Sequence, residues 1–158
     1  KRGSVPYKLY LYFNIFIRYY FFYRNRKTFS QFGEDLFIKK FFEYKKKGKY
    51  VDLGAFHPMR LSNTYLLYKR GWRGINFDLM NDNIKLFKIF RPRDISLNVA
   101  ISSKSGFINS YIFDSGSGLN TLEKKWAEKW KKIINKDYAT VKVKKETLNE
   151  SAGREVVL

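Results

Sequence analysis

Two acidic residues, each at the end of a short apolar run, carry the clearest chemical signal in this sequence. Asp52 and Gly54 end the run 49–55, and Asp78 ends the run 73–78, 24 residues beyond Gly54. A glycine in the turn after a strand lets a ligand approach the backbone, and an acid at the tip of the next strand can accept hydrogen bonds from ribose hydroxyls. The spacing therefore predicts a ribose-containing ligand and one nucleotide-binding half of an α/β fold.

Two ribose-containing ligands compete for this site. A dinucleotide usually requires the glycines of a G-x-G-x-x-G motif, because the backbone must contact the pyrophosphate. Here Gly54 stands alone, and Phe56 and Met59 occupy the second and third glycine positions. S-adenosylmethionine has no pyrophosphate and tolerates a bulkier turn. The pattern therefore favours a methyl donor over a nicotinamide cofactor.

Six separated blocks of sequence follow one another in a fixed order between residues 29 and 122. They are residues 30–35 (SQFGED), 50–55 (YVDLGA), 62–64 (SNT), 71–76 (GWRGIN), 91–95 (RPRDI) and 100–102 (AIS). In order and spacing these blocks resemble the FkbM family of S-adenosylmethionine-dependent methyltransferases. The resemblance implies a Rossmann-like α/β fold of the class I methyltransferase type, with a mostly parallel sheet and flanking helices. It also implies methyl transfer, usually O-methylation of a hydroxyl on a sugar, polysaccharide, glycolipid or secondary metabolite.

The resemblance also assigns the residues that contact S-adenosylmethionine. They are Asp52, Gly54, Ala55, Asn63, Asp78 and Ala100. We expect Asp52 and Asp78 to open onto the same crevice, and Asp78 to face solvent and contribute little to stability. Each assignment has a structural alternative: Asp52 can hold the turn, Asp78 can be an ordinary strand-end acid, and Asn63 can serve the helix start.

The acceptor side of the site is not readable in this chain. The family has a fourth strand that ends in a D-x-E-G type motif, and residues 151–158 match only what lies just beyond it, with Ala152 where an acid is expected. The sequence of 158 residues also begins with Lys1, so we expect an incomplete domain. No catalytic residue is assigned. His57 has a suitable unperturbed pKa of about 6.5, but nothing in the sequence orients it as a base.

Composition limits the partners. The chain has 32 basic and 14 acidic residues, for a net charge of +18, with no cysteine and one histidine. A disulfide framework, a thiolate metal site and a multi-histidine metal cluster are therefore excluded, and a reducing, cytoplasmic compartment fits. The charge is explained by AT-rich codon bias or by attraction to an anionic partner. No nucleic-acid reader motif is present, so a small-molecule or glycan acceptor is expected and no specific nucleic acid.

The N-terminal segment, residues 1–27, is predicted to form a basic aromatic helix separate from the methyltransferase domain at 28–158. It contains seven basic residues and no acid, and its aromatic run 7–23 is interrupted by Arg18. A spanning helix needs roughly 20 predominantly apolar residues. The segment therefore either lies in a bilayer interface as a peripheral membrane contact or packs over the edge of the sheet. A noncatalytic, membrane-associated remnant and a nucleic-acid methyltransferase or binder remain as alternative functions. The oligomeric state is not assigned.

Periodicity predicts the remaining elements. Helices are expected from Thr28 or Ser30 to residue 42, over 62–70, and from 81 to Pro92. A further helix is expected to be capped by Asn120, with its tryptophans in the core. Strands 50–53, 75–78 and 95–101 should be parallel. Strand 107–113 should return antiparallel beside 95–101, and 140–144 should form an exposed strand.

Overall fold

The computed structural model describes residues 13, 17, 21–23, 25–114 and 116–153. Helices and strands follow one another in a mixed α/β order, which agrees with the α/β part of the predicted fold class. The elements are α1 (Glu34–Phe41), β1 (Lys49–Leu53), α2 (Tyr65–Lys69), β2 (Arg73–Phe77), α3 (Asn81–Phe90), β3 (Ile95–Leu97), β4 (Ala100–Ile101), β5 (Gly106–Ile112), α4 (Lys124–Ile134), β6 (Ala139–Glu146) and α5 (Leu148–Gly153).

The first sheet has three parallel strands in the order β1-β2-β3. Val51 is paired with Ile75, and Ile75 with Ile95. Helices α2 and α3 connect these strands along the chain, as parallel pairing requires a crossover. The prediction of three parallel strands is therefore confirmed, and the carboxyl ends of β1 and β2 lie at one edge of the sheet.

The expected continuous strand over 95–101 is wrong, because the chain leaves the first sheet after β3. Asp78 donates its backbone N–H to the Leu97 carbonyl at 3.2 Å, and Asn98 donates its side-chain amide to the Asp78 carbonyl at 2.9 Å. Beyond Asn98, β4 joins a second sheet and pairs in parallel with β6. The alternation of apolar residues continues across the break, so periodicity alone could not locate it.

The second sheet has the order β4-β6-β5. Strand β5 is antiparallel to β6, with Ile108 opposite Val143, and the prediction that it lies beside residues 95–101 is wrong. Strand β6 is inserted between them. Its predicted exposure is confirmed, since most of its residues are exposed even though it is the central strand. Exposed lysines therefore occupy the middle of this sheet.

Three helices are shorter than predicted. Helix α1 begins after Gly33, whose φ of 91° is left-handed. The Ser30 hydroxyl accepts hydrogen bonds from the N–H groups of Gly33 and of Asp35 in the first turn of the helix. Helix α2 begins only at Tyr65, which donates its N–H to the Ser62 hydroxyl. Asn120 does not cap α4. It accepts from the Phe113 N–H at 2.9 Å and so closes the loop that precedes the helix.

Buried apolar residues form two clusters. The first contains Tyr23, Phe29, Met59 and Leu66, and the second lies on the first sheet around Phe77. Ala152 of α5 packs against the second cluster. The expectation that the α4 tryptophans are core residues is wrong for Trp126, which is 45% exposed, and Trp130 is half-buried.

Most of the predicted N-terminal helix lies outside the described residues. Of the part that is described, Tyr23 is buried and its ring stacks on Phe29 at 6.0 Å, whereas Phe21 and Phe22 are exposed. The end of the segment thus contacts the domain. In the described part of the chain, no helix combines the length and apolar character that crossing a membrane would demand.

Candidate functional site

A cavity of about 240 Å³ lies at the carboxyl ends of β1 and β2. Ligands of open α/β sheets bind in crevices at this position. Its walls come from the loop after β1, the start of α3 and the loop before α4. The lining residues are Gly54, Phe56, Leu61, Asp78, Leu79, Met80, Asn83, Ser117, Gly118 and Asn120.

The turn after β1 is held against β2 by backbone hydrogen bonds. Gly54 and Ala55 both donate their N–H groups to the Phe77 carbonyl, at 2.9 and 3.0 Å. Gly54 has a φ of 70°, and a Cβ added there would meet no heavy atom within 4 Å. Its left-handed conformation favours glycine, and the space beside it is open to a ligand.

Asp78 occupies the wall of this cavity but is not solvent-facing as expected. Its side chain is buried and accepts three hydrogen bonds. Oδ2 accepts from the Phe56 N–H at 2.8 Å, and Oδ1 accepts from the Met80 N–H at 2.7 Å and the Asn83 side-chain amide at 3.0 Å. A carboxylate has about four acceptor positions, so one remains for a ligand. Asp78 is therefore both a structural link and a candidate binding residue.

Two residues of the cavity wall have a left-handed backbone without being glycine. They are Phe56, with φ 55°, and Leu61, with φ 54°. Such conformations are uncommon for bulky residues and occur at functional sites, where surrounding contacts hold them. The hydrogen bond from Phe56 to Asp78 is one such contact. In the sequence, Phe56 stands out only as a missing glycine, and the residue type of Leu61 gives no signal for this conformation.

Asp52 is not among the residues that line this cavity with Asp78, so the expected common crevice is not seen in its lining. Its Oδ2 accepts a hydrogen bond from the Thr64 hydroxyl at 2.6 Å. Burial raises the pKa of Asp52, and the hydrogen bond from Thr64 opposes this shift. In the register of the first sheet, Asp52 of β1 is paired with Asn76 of β2. Its contacts connect it to a buried network beside the cavity.

Arg91 is the centre of that network. Its side chain and that of Asp94 are fully buried and form an ion pair at 2.8 Å. Arg91 also donates to the Thr64 hydroxyl at 3.0 Å and to the Tyr50 hydroxyl, which itself donates to Asp94 at 2.6 Å. Burial raises the pKa of Tyr50 well above its usual value. Arg91 and Asp94 belong to one of the six sequence blocks, but their pairing was not predicted.

The other predicted cofactor residues lie outside the cavity wall. Asn63 is exposed, Ala55 is buried beneath the turn, and Ala100 is buried at the start of β4 opposite Lys145. The structure thus brings Gly54 and Asp78 together and leaves Asp52, Ala55, Asn63 and Ala100 without a place in the lining.

His57 has a structural role in the loop after β1. It is buried, and its Nδ1 accepts hydrogen bonds from the backbone N–H groups of Met59 and Arg60 at 3.0 and 2.9 Å. Burial, with a smaller contribution from the Arg60 charge, lowers the pKa of His57 to about 4. A base with that pKa is a weak proton acceptor at neutral pH. His57 is therefore poorly suited to act as a general base at neutral pH.

Comparisons with known proteins add no relative. The chain matches no model of a protein family, no curated protein and no solved structure. Among the described residues, no group of three or more histidine, aspartate or glutamate side chains is arranged to hold a metal ion. The candidate site therefore rests on its own geometry: a cavity at the carboxyl ends of parallel strands, with a left-handed glycine and a buried acid in its wall.

Proposed function

We propose that this chain binds S-adenosylmethionine in the β1–β2 cavity and belongs to a methyltransferase, with a hydroxyl of a sugar, glycan or other small molecule as the acceptor. One observation carries the proposal. The Asp78 carboxylate at the tip of β2 lines the same cavity as the left-handed Gly54 at the tip of β1. In sheets of this kind, that pair of positions contacts the ribose of a nucleotide and the turn beside it.

The Asp78 carboxylate is suited to accept a hydrogen bond from a ribose hydroxyl. Asp78 Oδ2 accepts a single hydrogen bond from the described residues, from Phe56, and so retains acceptor capacity toward the cavity. The open space beside Gly54 allows a ligand to contact the turn. Asn83 and Met80 fix the other carboxylate oxygen, so Asp78 is oriented before a ligand arrives. Such preorganisation lowers the entropic cost of binding.

The backbone of the turn argues against a dinucleotide. A pyrophosphate is usually bound by free backbone N–H groups at this turn. Here the N–H groups of Gly54 and Ala55 donate to the Phe77 carbonyl, and that of Phe56 donates to Asp78. None of the three is left for a phosphate. This supports a ligand whose sugar is recognised and which has no pyrophosphate.

S-adenosylmethionine, when bound, supplies an electrophilic methyl group. The contribution of this chain is to bind and orient: Asp78 would fix the ribose, and Phe56 and Leu61 would cover the ligand from the loop after β1. Alignment of reactants in this way accounts for much of the rate gained in group transfer.

Calorimetric titration of the chain with S-adenosylhomocysteine and with NAD tests the proposal. We expect heat of binding with S-adenosylhomocysteine and a much weaker response with NAD. Preferential binding of NAD, or binding of neither ligand, would overturn the assignment. Binding of S-adenosylmethionine with no turnover on any hydroxyl acceptor would instead favour a noncatalytic role for the cofactor site.

A further inference from the structure

Helix α4 separates its lysines from its large apolar residues. Its eleven residues, KKWAEKWKKII, include five lysines and a single acid, Glu128. Trp126, Trp130 and Ile133 follow one another at i, i+4 and i+7, so they share one stripe of the helix. The lysines at 125, 129 and 132 form another stripe, also at i, i+4 and i+7. The helix is strongly amphipathic.

The apolar stripe is not covered by the rest of the described chain. Trp126 is 45% exposed and Ile133 is 58% exposed. Ile134 is also exposed, and Trp130 is half-buried. Ala127 is the buried residue of the helix. An amphipathic helix normally turns its large apolar residues toward the core, so this arrangement leaves two of them for another partner.

Contacts on the other side hold α4 in this orientation. Ala127 is fully buried, and Glu128 accepts a hydrogen bond from the Tyr138 hydroxyl at 2.5 Å. Lys131 forms an ion pair with Asp137 at 2.5 Å. These contacts connect the helix to the segment that leads into β6, so the exposure of Trp126 and Ile133 follows from how the helix is attached.

Several α4 lysines are available to interact with an anionic partner. Among the described residues, Lys124, Lys125, Lys129 and Lys132 form no ion pair with a carboxylate, whereas Lys131 does. The ammonium of Lys129 lies 4.7 Å from the centre of the Trp126 ring, at the border of the two stripes. A long side chain at such a border can cover apolar surface and place its charge in a polar layer.

We propose that α4 docks in the interface of an anionic lipid bilayer, with Trp126 and Ile133 at the level of the acyl boundary and the flanking lysines at the headgroups. Helices of this kind lie in the membrane plane, with Lys on the polar face and Trp or Leu on the other. The net positive charge of the helix complements anionic headgroups, each of which attracts nearby lysines. The inference is independent of the cofactor site.

A lipid surface explains the apolar residues better than a nucleic acid does. Lysines and tryptophans can bind phosphates and stack on bases, but stacking requires a flat ring. Ile133 and Ile134 are exposed beside the tryptophans and offer no such surface. An acyl boundary accommodates aliphatic and aromatic side chains alike.

Flotation with lipid vesicles tests the docking of the intact chain. We expect the protein to float with vesicles that contain phosphatidylcholine and about 30% anionic phosphatidylserine. It should bind vesicles of pure phosphatidylcholine much more weakly. Tryptophan emission should shift to shorter wavelength on binding, as Trp126 leaves water. Failure to bind the anionic vesicles, or equal binding to neutral ones, would overturn the proposal.

Variants assign the effect to α4. Ile133→Ser should weaken vesicle binding by about tenfold. A triple variant should weaken it by roughly fivefold per lysine at low salt; in this variant Lys125, Lys129 and Lys132 are changed together to Glu. The matched controls are Phe37→Ser on α1, which is 72% exposed, and the exposed loop lysines 46, 47 and 104 changed to Glu, which alter net charge equally. Both controls should bind as the parent does.

Circular dichroism and thermal melting show whether each variant is folded, and the fluorescence shift of the unmodified chain gives a result that needs no variant. Equal losses in a control and in its matched α4 variant would contradict the proposal, because they would assign binding to overall charge or hydrophobicity. So would binding of RNA without binding of vesicles, or a dimer that Ile133→Ser dissociates in the absence of lipid. These outcomes would identify a nucleic-acid surface and a self-association surface.

Discussion

The carboxylate of Asp78 joins three parts of the chain at once. It accepts hydrogen bonds from the loop after β1, from the turn that follows β2 and from the first turn of α3. The same group is proposed to contact the ribose. A substitution here should therefore change both ligand affinity and stability, which differs from the small stability effect expected of a solvent-facing acid.

Asp78→Ala tests both roles. Loss of a charge-assisted hydrogen bond of roughly 1.5 to 3 kcal/mol should weaken S-adenosylhomocysteine binding about tenfold to a hundredfold. Loss of the acceptor for the buried Asn83 amide and for two partly buried backbone N–H groups should also lower the free energy of unfolding by about 1 to 3 kcal/mol. Calorimetric titration and a urea melt on one preparation measure the two effects.

Asp82→Ala is the matched control for Asp78→Ala. Asp82 lies four residues away on α3, its side chain is 65% exposed, and its ion pair is with Lys85 on the surface. We expect unchanged affinity and a stability change within about 0.5 kcal/mol. If Asp78→Ala lowers stability but leaves affinity unchanged, Asp78 is a structural residue alone and the proposed ribose contact is wrong.

His57 should make stability depend on pH. Its pKa is about 4 in the folded chain and about 6.5 when unfolded, so the unfolded state binds the proton first as pH falls. Its contribution is fully present above about pH 6.5 and is lost between pH 6.5 and about 4. The loss should reach roughly 3 kcal/mol at the acid end. Urea melts across this range measure it.

His57→Asn isolates this effect, because the Asn side-chain oxygen can accept hydrogen bonds from Met59 and Arg60 without titrating. We expect a flatter stability profile between pH 4 and 6.5 for the variant. Asp52, whose pKa is raised by burial, acts in the opposite direction as pH falls, and it does so in both proteins. Parallel profiles for the two proteins would contradict the assignment to His57.

The contact between strands β1 and β2 depends on a residue without a side chain. A Cβ added to Gly74 of β2 would lie 2.0 Å from the Tyr50 ring of β1. Tyr50 cannot simply turn away, since its hydroxyl is held by Arg91 and Asp94. Gly74→Ala should therefore lower the free energy of unfolding by about 1 to 3 kcal/mol, as overpacking does. A urea melt gives this value.

Gly116→Ala is the control for Gly74→Ala. Gly116 is exposed, and an added Cβ would meet nothing within 4 Å. We expect a stability change within about 0.5 kcal/mol. Equal losses for both glycine variants would show that the close approach of Tyr50 to Gly74 has no energetic consequence.

Local pattern predicted the elements but not all of their partners. The apolar runs that contain Val51 and Ile75 identified β1 and β2 and their parallel pairing. The break at Asn98 and the insertion of β6 depend on hydrogen bonds between distant residues, which periodicity does not encode. Asn120 has the residue type of a helix cap, but its side chain closes a loop instead.

The candidate site, like the fold, was predictable from the sequence only in part. The positions of Gly54 and Asp78 follow from the rule that strand ends meet at one edge of a parallel sheet. Asp52 accepts a hydrogen bond from the Thr64 hydroxyl, and this contact with the segment before α2 is not encoded by the local pattern of β1. The left-handed conformation of Leu61 depends on its surroundings and not on its residue type.

The net charge of +18 should oppose folding of the chain. Like charges are closer in the folded chain than in the unfolded one, so their repulsion destabilises the compact state. Salt screens this repulsion over a distance of about 10 Å at 0.1 M. We expect the free energy of unfolding to rise with ionic strength.

Urea melts at low and high sodium chloride test this expectation, because urea adds no charge of its own. Potassium chloride should give the same rise, since screening depends on ionic strength. A fall in stability with salt would show that attractive pairs, such as Lys136 with Asp114, outweigh the repulsion.

The buried network around Arg91 also has a consequence for sequence change over time. The four residues Tyr50, Thr64, Arg91 and Asp94 come from three separate parts of the chain and satisfy one another's polar groups. Replacing one of them leaves a buried charge or hydroxyl without its partner, which costs about 3 to 5 kcal/mol for a broken buried pair. These four positions should therefore covary in any homologues, as a unit that is inherited together or replaced together by apolar residues.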